Sequence, residues 1–100
     1  MASTPEGKVK TRVKRILDEY GVYHFSPATG GYGRSGVPDI VCCYKGYFFA
    51  IECKAGGNTT TALQDREIDR IKKAGGLVWV VNEDNTDSVR NLLKGIDYVV

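Results

Sequence analysis

Apolar residues recur at Val9, Val13, Ile16, Leu17 and Tyr20, the three-to-four spacing of one helix face. Ser3 or Thr4 supplies a cap, Pro5 fits the first turn, and Gly21 stops the helix. Residues 22–26 read as a short strand. Residues 37–54 (VPDIVCCYKGYFFAIECK) hold β-branched and aromatic residues on both sides of Lys45-Gly46, a two-residue hairpin loop between two strands. A second helix is predicted from Thr61, with Leu63, Ile68, Ile71 and Ala74 on its apolar side and Gly75-Gly76 as its stop. The apolar run 77–81 (LVWVV) reads as a buried strand, parallel to the preceding one through the helical crossover. Residues 84–94 suit a last helix capped by Asp84 or Asn85, and residues 97–100 a final strand or an interface edge. The order predicts an α/β sandwich with a mixed central sheet flanked by helices.

The hairpin loop fixes a register by counting. Tyr44 faces Tyr47, Cys43 faces Phe48, Val41 faces Ala50 and Asp39 faces Glu52. Asp39, Val41, Cys43, Phe48, Ala50, Glu52 and Lys54 then share one face. Two carboxylates so placed, roughly 5 Å apart at an effective dielectric near 20, repel by about 3 kcal/mol before solvent screening. Lys54 on the same face can neutralise one of them. A divalent ion would neutralise both, and carboxylate oxygens suit Mg²⁺ or Mn²⁺. The spacing leaves two readings open: a salt-bridged trio at the end of a hairpin, or a metal site with a lysine beside it.

Other positions bear on that choice. Glu6 falls within the arc of the first helix's apolar stripe, so it points toward the protein. It suits a capping box with Ser3, a favourable charge at the helix N-terminus, or a third acid over the pair. Lys8, Lys10, Arg12, Lys14 and Arg15 make that helix basic. They are either a solvated face or a phosphate-tracking surface. The glycine-rich stretch 30–36 is not a Walker loop, because no Gly-Lys-Ser/Thr ends it and a strand follows. It reads as a flexible turn or as a close approach to a sugar-phosphate strand, with Arg34 as a forked phosphate donor and Tyr32 as a stacking surface. Pro38 fixes the backbone just before Asp39. Gln64 caps the second helix and also lies on its inward side. His24, the single histidine, has no partner at diagnostic spacing and reads as structural or surface.

Pro38-Asp39 followed by Glu52-Cys53-Lys54 resembles the motif of the PD-(D/E)XK nuclease superfamily. Taken with its flanks, nearly the whole chain resembles the small stand-alone, phage-type VRR-NUC domains. The resemblance implies the restriction-endonuclease-like αβββαβ core, one domain spanning residues 1–100, and a metal-dependent DNA endonuclease using Mg²⁺ or Mn²⁺. It implies Asp39, Glu52, the Cys53 backbone carbonyl and Glu6 as metal ligands. Lys54 would act on the attacking water or the developing oxyanion, and Gln64 would hold water or phosphate. It also implies a branched or junction DNA substrate of the Holliday-junction-resolvase kind, and a homodimer with two sites. Lys8, Lys10, Arg12 and Arg34 are the expected nucleic-acid contacts. The competing expectations are a non-catalytic nucleic-acid-binding module on the same fold, and a structural domain in which the trio is only a salt bridge.

Composition narrows the setting more than the chemistry. One hundred residues support one modest core. The net charge of +2 does not by itself announce a nucleic-acid binder. Apolar runs fall far short of the roughly 20 residues of a membrane span, and the N-terminal residues lack a signal-peptide pattern. Cys42, Cys43 and Cys53 have no zinc spacing and sit in apolar strands, where burial is expected. A reducing, cytoplasmic setting follows, the host cytoplasm if the chain is phage-encoded.

Overall fold

The computed structural model describes residues 4–28 and 35–100. Its elements are α1 (Pro5–Glu19), β1 (Tyr23–Phe25), β2 (Ile40–Tyr44), β3 (Tyr47–Cys53), α2 (Ala62–Lys73), β4 (Leu77–Val81) and α3 (Ser88–Val99). The four strands form one sheet in the order β1-β2-β3-β4. The first three are antiparallel neighbours, and β4 joins β3 in parallel through the α2 crossover. This is the mixed-sheet α/β architecture expected from the sequence, with the αβββαβ order followed by one more helix.

The hairpin register is the one obtained by counting. Tyr44 pairs with Tyr47, Cys43 with Phe48 and Val41 with Ala50. Lys45 and Gly46 both have positive φ, 50° and 86°, as a tight two-residue turn between twisted strands requires. Lys45 is held in that unfavourable region from outside. Its ammonium lies 2.6 Å from Asp97 Oδ1, and the Tyr44 hydroxyl donates to the same oxygen at 2.7 Å. The turn is thereby tied to α3.

Alternation divides the sheet into two unlike faces. Ile40, Cys42, Phe49, Ile51, Cys53 and Val81 point into the core, against Val9, Val13, Ile16 and Leu17 of α1 and Val89, Leu93 and Ile96 of α3. Phe49 stacks on Trp79 with ring centroids 4.4 Å apart. The other face meets only α2, and incompletely. Ile68 and Ile71 are half-buried and Leu63 is exposed, so the only fully buried α2 side chain is Glu67. On this face the register lines up Tyr23, Cys43 and Phe48, all exposed, with Phe48 at the margin of α2 beside Arg70 and Ile71. Cys43 therefore departs from the expected burial, whereas Cys42 and Cys53 follow it.

The C-terminal segment also differs from expectation. Asn85 Oδ1 accepts the Asn82 N–H and Asn82 Oδ1 accepts the Asp84 N–H, so residues 82–85 form turns rather than a cap. The helix starts at Ser88 and continues to Val99. Residues 97–100 are not a strand, because the buried series Val89, Leu93, Ile96 keeps helical spacing to the end of the chain. His24 is structural, as expected: its Nε2 lies 2.7 Å from Asp18 Oδ1 and links β1 to α1.

Gly36 sets the approach of the segment before β2 to the start of α2. Its φ is +82°, and a Cβ there would lie 2.4 Å from the Leu63 carbonyl oxygen and 2.9 Å from the Gln64 nitrogen. Both neighbours are backbone and cannot swing aside. Gly36→Ala is expected to lower unfolding free energy by roughly 1–3 kcal/mol. Urea denaturation checks this, and a variant with the wild-type midpoint would contradict the close approach.

Candidate active site

The site grows out of the end of the hairpin. The ladder between β2 and β3 ends at the Ile40–Ile51 pair. One step further, the side chain of Asp39 takes over the backbone's role: its Oδ2 accepts the Cys53 N–H at 2.7 Å. On the other side, the Lys54 N–H donates to the Val81 carbonyl at 2.8 Å and continues the parallel pairing. The Glu52-Cys53-Lys54 backbone is thus held from both edges. Buried Pro38 restricts the chain immediately before Asp39.

Glu52 is 1% exposed. Its Oε1 accepts a hydrogen bond from Gln64 Nε2 at 3.1 Å, and its buried Oε2 has no hydrogen-bond partner. Burial is the main reason its carboxyl is pushed up to about 8. The adjacent Asp39 carboxylate adds to the rise, as the acceptor available to a protonated Glu52 and as a like charge, while Lys54 opposes it and Glu6 adds a smaller repulsion. The Cys53 thiol lies on the core face and is pushed up to about 12, again mainly by burial. It stays protonated at neutral pH, so only the backbone of Cys53 is available to the site.

Gln64 caps α2 and also faces the carboxylates. Its backbone N–H donates to Thr61 Oγ1 at 3.2 Å, and its Oε1 accepts the Thr61 N–H at 2.9 Å. This capping box fixes the side chain, and the remaining amide nitrogen reaches Glu52. At α1 the cap is Thr4, whose Oγ1 accepts the Gly7 N–H at 2.9 Å. Ser3 lies outside the described residues. Glu6 lines a cleft with Thr4, Pro5, Gly7, Lys10, Ala55, Gly56 and Asn58, beside the segment that follows Lys54. Among the described residues, no three acidic, histidine or cysteine side chains converge as a ready-made metal-ligand group. Glu6 therefore does not join Asp39 and Glu52 at ligating distance.

The ion pairing differs from the expected trio. Lys54 is buried, 8% exposed, and its charge is felt at Glu52, but it forms no ion pair with either carboxylate among the described residues. The partner of Asp39 is Lys10, whose Nζ lies 3.3 Å from Oδ1. The sequence carried a signal for this. Lys10 is four residues after Glu6, so a helix that turns Glu6 toward the site turns Lys10 there too. Lys8 and Arg12 line the adjoining groove with Pro5, Gly56 and Glu83. Arg34 and Tyr32 lie outside the described residues.

The family model for the archaeal Holliday junction resolvase (Hjc) matches residues 4–85. That match spans α1 through β4 and every described residue of the site. The chain belongs to the Hjc family. Two solved structures share the fold. One, described as a VRR_NUC domain, is 26% identical with a TM-score of 0.73, covering 92% of this chain and 97% of its own. Another, a VRR_NUC domain protein, is 22% identical with a TM-score of 0.67, covering 90% and 88%. A search of curated protein sequences finds no match. The chain is thus placed among nucleases of the PD-(D/E)XK type, in a family that acts on DNA junctions. No helix among the described residues is long and apolar enough to cross a membrane.

The raised Glu52 carboxyl has a thermodynamic consequence. Its folded value lies above the ordinary 4.5, so below about pH 4.5 both folded and unfolded chains hold the proton. Between about pH 4.5 and 8 the unfolded chain has lost that proton while the folded one keeps it, so stability falls across this range and levels off once the folded state has lost it too. In chelator, Glu52→Gln is expected to match wild-type stability near pH 4.5 and exceed it by roughly 1–3 kcal/mol above pH 8. Urea denaturation at the two pH values checks this, and a pH-independent difference would contradict it.

Proposed function

We propose that the chain is a Mg²⁺- or Mn²⁺-dependent endonuclease that hydrolyses phosphodiester bonds in branched DNA. The observation that carries this reading is the unpartnered, buried Oε2 of Glu52 beside the Asp39 carboxylate. Two acidic groups this close, one with an unused oxygen, fit a hard divalent cation. Asp39 and Glu52 would hold it, with the Cys53 carbonyl as a backbone ligand and Glu6 as an outer one. The ion supplies positive charge to the phosphoryl oxygens and makes a neighbouring water easier to deprotonate.

The protein groups divide the remaining work. Gln64 orients Glu52 through its amide, and the Asp39–Cys53 hydrogen bond fixes the other carboxylate. Lys54, held in a nearly dry position, orients the attacking water or stabilises charge on the phosphoryl oxygen. Lys8, Arg12 and Arg34 bind backbone phosphates and carry no sequence readout. Selectivity then rests on the shape of the DNA.

Purified protein incubated with labelled four-way junction, flap and linear duplex in Mg²⁺, Mn²⁺ or chelator tests the reading. Cutting is expected only with metal and fastest on the junction. Asp39→Asn and Lys54→Ala should each lower the rate by at least about 100-fold. Binding without cutting in any metal would replace the nuclease by a non-catalytic module.

We also infer a homodimer, as a four-way junction offers two equivalent strands. The exposed Tyr23, Phe25 and Phe48 on the sheet face that carries the carboxylates support this reading. Sedimentation equilibrium should give twice the 11.0 kDa chain mass, and Phe48→Glu should shift it toward the monomer. A wild-type monomer at micromolar concentration would count against the dimer.

A further inference from the structure

We propose that Lys10 is an exchangeable counter-ion of the carboxylate site: it occupies the Asp39 oxygen that a divalent ion needs, and the ion's arrival releases it to a DNA phosphate. The inference rests on the metal-dependent reading above and assigns one residue the coupling between metal and DNA.

The four carboxylate oxygens make the case. Asp39 Oδ2 is committed to the Cys53 N–H and Glu52 Oε1 to the Gln64 amide. The oxygens left for a cation are Asp39 Oδ1 and Glu52 Oε2. Lys10 Nζ already lies 3.3 Å from the first. A cation held by these remaining oxygens would have to displace the ammonium group, and its binding free energy would be reduced by the strength of that ion pair.

The geometry also says where the ammonium goes. Lys10 is anchored on α1, and its stem lines the cleft with Glu6, Ala55 and Asn58. Lys8 and Arg12 line the groove alongside. Lys10 is already 38% exposed in its side chain, so its head moves into that cleft without unpacking the core. A released ammonium offers three donors to a phosphate entering beside the metal. Linkage then requires reciprocity: metal strengthens phosphate binding and phosphate strengthens metal binding, both through Lys10.

The test measures Mn²⁺ affinity of the whole chain by calorimetry for wild type, Lys10→Met, Lys8→Met and Asp39→Asn. Lys8→Met removes the same charge from the same helix but touches neither carboxylate. Lys10→Met is expected to bind Mn²⁺ about two- to fivefold more tightly than wild type, the range of a partly exposed ion pair, with Lys8→Met close to wild type. The second readout is four-way-junction affinity, with and without Mn²⁺, in a Lys54→Ala background to suppress cutting. The metal-induced gain should shrink in the Lys10→Met, Lys54→Ala double variant. Unchanged or weaker Mn²⁺ binding in Lys10→Met, or an equal gain in Lys8→Met, overturns the exchange. If Lys10→Met fails to fold by circular dichroism, Lys10→Gln carries the same comparison. Absence of any Asp39-dependent Mn²⁺ site in wild type overturns the metal reading itself, a failure distinct from that of Lys10 alone.

Discussion

Two carboxyl groups placed side by side at the edge of a hydrophobic core repel each other and resist losing water. Everything around Asp39 and Glu52 can be understood as a response to that constraint. A bare pair of charges would push the hairpin end apart. The Cys53 N–H fastens one carboxylate to the opposite strand, the Gln64 amide fastens the other to α2, and Lys10 and Lys54 bring positive charge from two directions. The proton retained on Glu52 to about pH 8 expresses what remains unbalanced. The arrangement is electrostatically unsatisfied in a specific place, one oxygen of Glu52. The imbalance persists because the surrounding fold opposes its relaxation.

That opposing structure is the hairpin. The positive φ of Lys45 and Gly46 sets a two-residue loop, the loop sets the register, and the register brings Asp39 and Glu52 together, each six residues from the turn. A one-residue slip would turn Glu52 into the core and Ile51 to the outside. The packed series Ile40, Cys42, Phe49, Ile51 and Cys53 excludes that slip, since each would have to leave the hydrophobic cluster. Burial on one face of the sheet thereby fixes chemistry on the other.

The same logic explains what could be read from the residues alone. The hairpin register, the parallel β4 and the capping box at Thr61 depend on short-range spacing, and they stood out clearly. The start of α3 did not, because Asp84 and Asn85 look like caps until Asn82 and Asn85 are seen to bond each other's backbone neighbourhood. The exposure of Cys43 depends on how far α2 reaches across the sheet, which strand periodicity does not encode. At the site, Asp39, Glu52 and Gln64 were legible because they share a hairpin and a helix start. The exchange of partners, with Lys10 rather than Lys54 on Asp39, was not. It requires the depth of α1 over the sheet, a tertiary quantity, although the four-residue step from Glu6 pointed toward it.

The three helices leave part of one face of the four-stranded sheet uncovered. Here α1 and α3 close one face, and α2 covers only the β3–β4 side of the other. The uncovered half carries Tyr23, Phe25 and Cys43, with exposed Phe48 at the margin of α2, on the same side as the carboxylates. That incompleteness is the opposite of wasted surface. Covering the face with another helix would bury the aromatic residues and wall in the approach to Asp39 and Glu52. Leaving it open keeps that approach clear, while the hairpin and the helix caps hold the carboxylate-bearing backbone in place.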